Sequence, residues 1–225
     1  MRAKTLLAWS SGKDSAYALW TLRQRPDIET VGLLTTLNGD ANRVSMHAVQ
    51  EVVLEAQARA CRLPLFKVPL PDPCSDEQYR AAMSVAIDEA RERKVQAVAF
   101  GDLFLADVRA YREAQLSGTG LTPLFPLWGR PTAALARKMI DNGMEAIVTC
   151  VDTEQLDARF AGRSFDRSLL EDLPEGVDPC AENGEFHTVA IAGPMFYERV
   201  GVDVGDVVDR GRFVFVDVSL REEPK

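Results

Sequence analysis

Short apolar runs alternate with segments of helical periodicity over about the first two thirds of the chain. The apolar runs that predict buried strands lie at residues 6–9, 31–36, 65–68, 95–101 and 146–151. Apolar residues at helical spacing predict helices near residues 14–25, 49–56, 75–94, 108–116 and 132–142. Strands separated by helices of this length predict right-handed crossovers, and therefore an α/β fold with a five-stranded parallel sheet and helices on both faces.

The pattern changes after residue 152. Gly, Pro and acidic residues predominate up to residue 184, and strand-like segments follow at 200–208 and 213–220. These segments predict a smaller, β-rich α+β region at the C-terminal end. We therefore divide the chain into a first domain, residues 1–130, and a second region, residues 131–225, and we expect the strand near 146–151 to complete the first sheet.

Composition narrows the class of protein. The formal net charge of −8 argues against broad binding to nucleic acid or to an anionic membrane. No apolar segment approaches the roughly 20 residues that span a bilayer, so we expect a soluble, cytoplasmic chain. The 4 cysteines form no CxxC pair and only 2 histidines are present, which disfavours a structural zinc site and a disulfide framework.

A polar loop follows the first predicted strand. Its sequence is Ser10-Ser11-Gly12-Lys13-Asp14-Ser15, and we call it the serine loop. Small residues let backbone N–H groups converge on an anion, and the following helix adds its N-terminal N–H groups, so the loop predicts a phosphate site. Lys13 would neutralise phosphate charge and Asp14 would hold Mg²⁺. The alternative is an ordinary helix N-cap.

Other polar residues follow the predicted strands. Thr35, Gly101 and Asp102 lie at carboxyl ends of strands, where ligands bind to parallel sheets, and we expect them to face the same pocket. His47 could contact a nucleotide or cap the helix that follows it.

A second polar group, Glu182-Asn183-Gly184-Glu185-Phe186-His187-Thr188, is called the acidic segment below. Two carboxylates and a histidine within seven residues favour acid–base or orienting chemistry, with Glu185 and His187 as the candidates. The alternative is a polar loop anchored by an aromatic side chain.

The serine loop resembles the SGGxDS loop of the N-type ATP pyrophosphatases, within the adenine nucleotide alpha hydrolase superfamily. Together with the acidic segment and Gly193-Pro194-Met195-Phe196, it resembles the diphthine–ammonia ligase family, also called the diphthamide synthase ATP-binding family. The resemblance implies a HUP-type (Rossmann-like) fold and an AMP-forming carbon–nitrogen ligase. Such an enzyme uses ATP and Mg²⁺ to convert a carboxylate, through an acyl-adenylate, into an amide with ammonia.

The resemblance also implies roles for individual residues. The residues expected to bind the nucleotide are Ser10, Ser11, Gly12, Lys13, Asp14, Ser15, Thr35, His47, Gly101 and Asp102. The residues expected to act in catalysis are Lys13, Asp14, Glu185 and His187. The residues expected to bind the acceptor or ammonia are Arg109, Glu113, Glu182, Asn183, Gly184 and Thr188. The acceptor would be a small molecule or a protein that bears a carboxylate, and a homodimer is left open.

Three positions depart from the family pattern. Ser11 and Asn183 stand where glycines are usual, and Tyr111 replaces a basic residue of an Arg-x-Arg-x-Glu pattern. If the chain is bacterial, we expect an acceptor other than diphthine. Two alternatives remain: an ATP pyrophosphatase that modifies tRNA or a small molecule, and a noncatalytic ATP-sensing module.

Overall fold

Parallel strands form the core of the first sheet in the computed structural model, which describes residues 1–38, 43–44 and 49–221. These strands are β1 (Ala3–Ala8), β2 (Ile28–Asn38), β4 (Leu65–Leu70), β5 (Ala97–Ala99) and β6 (Thr122–Leu124). Their order across the sheet is β4-β2-β1-β5-β6, and the two-residue β3 (Arg43–Val44) pairs antiparallel with the end of β2. The order reverses direction between β1 and β5, which is where ligands bind to such sheets.

Helices cover both faces of this sheet, as predicted. They are α1 (Lys13–Arg23), α2 (Glu51–Cys61), α3 (Asp76–Glu92) and α4 (Ala106–Leu116). Helix α3 begins with a capping box, in which Ser75 and Gln78 each bind the other's backbone N–H. Helices α1 and α2 bury their apolar residues in the largest core cluster, while α3 and α4 pack Ile87, Ala90 and Leu116 on the opposite face.

The predicted fold class is confirmed, but the position of the strand near 146–151 is wrong. It forms β7 (Glu145–Asp152), which pairs antiparallel with β8 (Phe186–Ala192) and β10 (Phe213–Leu220) in a separate four-stranded sheet, β8-β7-β10-β9. Every residue of β7 after Glu145 is buried, and such a run does not distinguish a parallel strand from an antiparallel one. The fifth parallel strand is β6, whose three residues include Pro123 and give no alternating pattern.

The second sheet is completed by β9 (Val202–Arg210), which forms a hairpin with β10. Helix α5 (Thr132–Asp141) precedes β7, and a 3-10 helix (Ala158–Phe160) and α6 (Arg167–Asp172) lie between β7 and β8, where the sequence predicted no element. Within the described part of the chain, no helix is long and apolar enough to cross a membrane.

The two sheets share one core. The largest cluster of buried side chains joins Leu7 of β1 and Leu19 of α1 to Val148 of β7 and Val189 of β8. The backbone N–H of Ala190 in β8 donates to the carbonyl of Ser11 at 2.9 Å. The serine loop at the end of β1 is therefore held directly by the second sheet.

Candidate functional site

A cavity of about 580 Å³ lies at the carboxyl ends of β1, β2 and β5. It brings together most of the residues predicted for the site: Ser10, Gly12, Lys13, Asp14, Ser15, Thr35, Gly101, Asp102, Glu182, Asn183, Gly184, His187 and Thr188. Four predicted residues, Ser11, Glu185, Arg109 and Glu113, are not among those that line it. His47 lies outside the described residues.

The serine loop is stabilised by its own side chains and by β8. Ser15 Oγ donates to the Gly12 carbonyl at 3.0 Å, and the Gly12 N–H donates to Ser10 Oγ at 3.4 Å. Helix α1 has no N-cap side-chain bond, and its first N–H, that of Lys13, donates to Thr188 Oγ1 at 3.1 Å. The loop therefore presents a helix N-terminus to the cavity with little competition from its own N-cap.

Ser11 adopts a φ of 71°, in the left-handed region that favours glycine. This conformation explains why the resembling motif has glycine at the same place. The Ser11 side chain is buried with its Oγ unpartnered in the described structure, while its carbonyl accepts bonds from Ala190 and Gln57. Ser11 therefore contributes its backbone to the loop and faces away from the cavity.

Gly101 allows the end of β5 to approach α1. A Cβ at this position would lie 3.0 Å from the Ser15 backbone nitrogen and 3.1 Å from the Asp14 carbonyl carbon. Both contacts are to backbone, so a side chain would push the helix start away from the sheet. Gly101 thus fixes the distance between the serine loop and Asp102.

Lys13 is 2% exposed and connects the loop to the second region. Its ammonium donates to Asp14 Oδ2 at 2.8 Å and to the carbonyl of Cys180, and it lies 5.5 Å from the ring centre of Phe165 and 5.6 Å from that of Phe186. Burial acts to lower the pKa of Lys13, but the charge of Asp14, the hydrogen bond to it and other nearby groups together raise the pKa. Lys13 therefore stays protonated.

Asp14 and Thr35 line the cavity, and each has a buried oxygen without a protein partner among the described residues. These atoms are Asp14 Oδ1 and Thr35 Oγ1. Burial raises the pKa of Asp14, and Lys13 opposes that shift. Because buried polar atoms in proteins are almost always paired, unpaired ones on a cavity wall indicate a polar ligand.

Glu182 joins the acidic segment to the loop that follows β5. Its Oε1 accepts from the N–H of Leu103 at 2.7 Å and from that of Phe104 at 3.4 Å. Burial raises the pKa of Glu182 to about 7, and the nearby carboxylates of Asp14 and Asp102 act in the same direction. Glu182 can therefore exchange a proton near neutral pH.

His187 also faces the cavity, and its surroundings determine its charge. Burial lowers the pKa of His187 to about 4, and the charge of Lys13 adds to this effect. The imidazole is thus neutral at pH 7. This state suits it to hydrogen bonding and makes it a weak general base.

Glu185 supports the acidic segment from behind the cavity. The side chain is buried, and its Oε1 accepts from the Asp178 N–H at 2.9 Å and from Asn183 Nδ2 at 3.0 Å. Its Oε2 has no hydrogen-bond partner in the described structure. Asn183, which stands where the resembling family has glycine, thus uses its side chain to hold Glu185.

Arg109 and Glu113 lie outside the cavity, where Arg109 is partly buried and Glu113 is exposed. Arg109 Nε donates to Glu113 Oε1 at 2.8 Å, and its guanidinium lies over the rings of Phe125 and Trp128. The arginine of α4 that lines the cavity is Arg112, which the sequence did not single out. Residues 109 and 112 differ by three positions, so only the position of α4 against the sheet decides which of them faces inward.

Gln57 is a second residue that the sequence analysis missed. It is buried in α2, where its Oε1 accepts from Trp9 Nε1 at 2.8 Å and its Nε2 donates to the carbonyls of Ser11 and Ala190 at 3.0 and 2.7 Å. It therefore joins β1, the serine loop and β8. A lone glutamine in an amphipathic helix resembles a surface residue, so the sequence carries no signal for this role.

Within the residues that the structure describes, no three His, Cys, Asp or Glu side chains form a group that could hold a metal ion. Asp14 Oδ1 remains unpaired, and a single carboxylate of this kind fits Mg²⁺ that is held mainly by phosphates. The described cysteines are all free thiols.

Comparison with known proteins identifies the relatives of the chain. The model of the diphthamide synthase N-terminal domain matches residues 3–121, and that of the diphthamide synthase C-terminal domain matches residues 131–218. Diphthine–ammonia ligases of Rattus norvegicus and Homo sapiens are 24% and 25% identical, each over 97% of this chain and 89% of the relative. The Danio rerio diphthine–ammonia ligase is 30% identical over 57% of this chain and 52% of its own length.

Proposed function

The chain belongs to the diphthamide synthase family, and we propose that it is an ATP-dependent ligase that forms an amide from a carboxylate and ammonia. The observation that carries the proposal is the single cavity shared by the serine loop and the acidic segment. One supplies a helix N-terminus for phosphate, and the other supplies titratable groups beside it. Residues 1–130 would then bind the nucleotide, and residues 131–225 would serve the acceptor side.

ATP would place its phosphates against Ser10, Gly12 and Ser15. Asp14 would hold the Mg²⁺ that accompanies them, and Mg²⁺ would neutralise phosphate charge in a cavity that already contains three carboxylates. Lys13 would act on the phosphates mainly through its charge, since two of its three ammonium hydrogens already bind Asp14 and Cys180.

The reaction has two steps in this proposal. An oxygen of the acceptor carboxylate attacks the α-phosphorus and pyrophosphate leaves, which gives an acyl-adenylate. Ammonia then attacks the acyl carbon, the carbon–oxygen bond to AMP breaks, and the nitrogen loses a proton. Glu182 suits the role of proton acceptor, because its pKa of about 7 lies near the working pH. His187 would orient a reactant as a neutral hydrogen-bonding group.

The test is the product of ATP cleavage. The purified chain is incubated with α-labelled ATP and Mg²⁺, with and without ammonium and a cell extract, and AMP is separated from ADP. We expect AMP that depends on ammonium and extract, that is lost in Asp14→Asn, and that persists in the control Asp88→Asn, whose side chain is 67% exposed.

Other results would contradict the proposal. Formation of ADP alone would exclude cleavage between the α and β phosphates. Bound but unreacted ATP would favour a sensing module, and AMP formation that requires tRNA would favour a tRNA-modifying enzyme.

A further inference from the structure

Arg112 lines the cavity and has a guanidinium N–H that makes no hydrogen bond among the described residues. Lys13 also lines the cavity, but its ammonium binds Asp14 and Cys180. Arg112 Nε is buried and has no hydrogen-bond partner among the described residues. The guanidinium lies 5.2 Å from the ring centre of Phe100, the residue that follows β5.

Asp102 faces Arg112 across a short gap. Arg112 Nε and Asp102 Oδ2 are 3.9 Å apart, which is close enough for an ion pair and too far for a hydrogen bond. Asp102 Oδ2 is likewise buried without a hydrogen-bond partner in the described structure. The two side chains thus form an ion pair without a hydrogen bond, and their buried Nε and Oδ2 atoms are costly to leave without one unless a ligand completes them.

The two helices beside this pair offer mainly apolar side chains, while the carboxylates of Asp14 and Glu182 lie on the side of the serine loop. Helix α4 presents Val108, Arg112 and Leu116 to the cavity at i, i+4 spacing, and α3 presents Tyr79, Met83 and Ile87 at the same spacing. The two helices leave space between these faces. A ligand that reaches the pair would therefore have an apolar body beside its polar group.

The polar group must satisfy both partners. It must accept a hydrogen bond from Arg112, and a group that also donates to Asp102 completes the pair. A carboxylate binds the guanidinium, and a carboxamide accepts from Arg112 through oxygen while its NH₂ donates to Asp102. A phosphate is disfavoured here because it carries more negative charge than a carboxylate, so the Asp102 carboxylate would repel it more strongly.

We propose that Arg112 and Asp102 form the acceptor subsite, which binds the carboxylate of an apolar carboxylic acid and then the carboxamide made from it. This inference rests on the proposed function, since it assigns the group that the reaction changes. Arg112 is a specificity-determining residue in this view, and Asp102 distinguishes product from substrate.

The test measures binding by calorimetry, with the full chain, Mg²⁺ and α,β-methylene ATP. The probes are straight-chain and phenyl-substituted monocarboxylates of two to eight carbons and the corresponding primary amides, titrated with and without the nucleotide. For the acids that bind, we expect Arg112→Gln to weaken affinity by about tenfold or more, with nucleotide affinity changed by less than about twofold.

Two further variants sharpen the assignment. Arg112→Lys keeps the charge but not the planar guanidinium, so acid binding should fall between those of the wild type and Arg112→Gln. Asp102→Asn should weaken the amides and not the acids. Arg91→Gln on the surface of α3 is the matched control, because that side chain is 60% exposed and pairs only with Asp88 among the described residues.

Three results would overturn the inference: no acid binds the wild type, the acids bind Arg112→Gln as well as they bind the wild type, or Arg112→Gln loses the nucleotide instead of the acid. Acids that compete with the nucleotide would also overturn it, since they would occupy the nucleotide's place. Failure of the wild type to bind the nucleotide contradicts the proposed function separately, and the titrations without nucleotide still decide the subsite.

Discussion

The serine loop and the acidic segment face the same cavity but use their side chains in different ways. Serine and lysine side chains of the loop mainly bind the protein itself, so the loop offers its ligand backbone groups and a helix N-terminus. The acidic segment divides its carboxylates between the cavity wall, where Glu182 lies, and the interior, where Glu185 lies. A residue's place in a motif therefore does not say whether it contacts the ligand.

The largest expected effect comes from Lys13, which joins the two regions. Lys13→Met leaves the carboxylate of Asp14 and the carbonyl of Cys180 without their cation, and we expect the free energy of unfolding to fall by about 3 kcal/mol. Urea unfolding followed by circular dichroism measures it. Lys138→Met, on the exposed side of α5, is the control. Equal stability of the two variants would show that the contact between regions adds nothing.

Substitutions at Glu185 test whether this buried carboxylate has a structural role while Glu182 acts at the cavity. Glu185→Ala removes the acceptor of two hydrogen bonds and should destabilise the chain by about 2 kcal/mol. Glu185→Gln keeps an acceptor oxygen, so we expect it to retain AMP formation, whereas Glu182→Gln should lose it. If Glu185→Gln is stable but inactive in the α-labelled ATP assay, Glu185 acts in catalysis after all.

A substitution at Ser11 tests whether the serine loop acts through its backbone rather than through the Ser11 side chain. Because its φ of 71° strains a serine, Ser11→Gly should raise the free energy of unfolding by about 0.5 to 1 kcal/mol. Ser117→Gly is the control, since its φ of −60° is ordinary and the change should lower stability by about 0.5 kcal/mol. A loss of stability in Ser11→Gly would mean that the hydroxyl contributes more than the strain costs.

The pH dependence of stability is the smallest effect in the wild type, because two groups oppose each other. Glu182 has a pKa of about 7 against an ordinary 4.5, so the folded chain holds a proton that the unfolded chain has lost, and stability falls as pH rises between these values. His187 has a pKa of about 4 against 6.5, so the unfolded chain binds the extra proton and stability rises with pH in that range.

Single variants should expose each contribution. Glu182→Gln should make the free energy of unfolding rise more steeply with pH between about 4.5 and 6.5, and His187→Gln should make it rise less steeply or fall. Urea unfolding at several pH values without ligand measures both slopes. Slopes equal to that of the wild type would show that neither group is perturbed by burial.

Sequence patterns predicted the parts of the fold that depend on local order. Strands and crossover helices follow from the periodicity of apolar residues. The sheet to which β7 belongs does not, because its partners β8 and β10 lie more than thirty residues away in the chain and burial looks the same in either sheet. Strand β6 is too short and too close to Pro123 to carry a pattern of its own.

The site residues could be predicted where several polar residues lie close together in the sequence. The serine loop and the acidic segment stand out by composition, and the structure places most of their residues on one cavity wall. Arg112, Gln57 and the Cys180 carbonyl act only through the packing of distant elements, and a backbone carbonyl has no sequence signature. The roles of such residues can be recognised only once the arrangement of the helices and sheets is known.

The bond between Trp9 and Gln57 gives the chain a built-in optical reporter. Trp9 lines the cavity, and its indole N–H is held by Gln57 in a buried setting, so an arriving ligand changes the polarity around a fixed ring. The chain has 3 tryptophans, and replacing Trp20 and Trp128 by phenylalanine would leave this one to emit alone. Filling of the cavity could then be followed in real time by fluorescence, without any label.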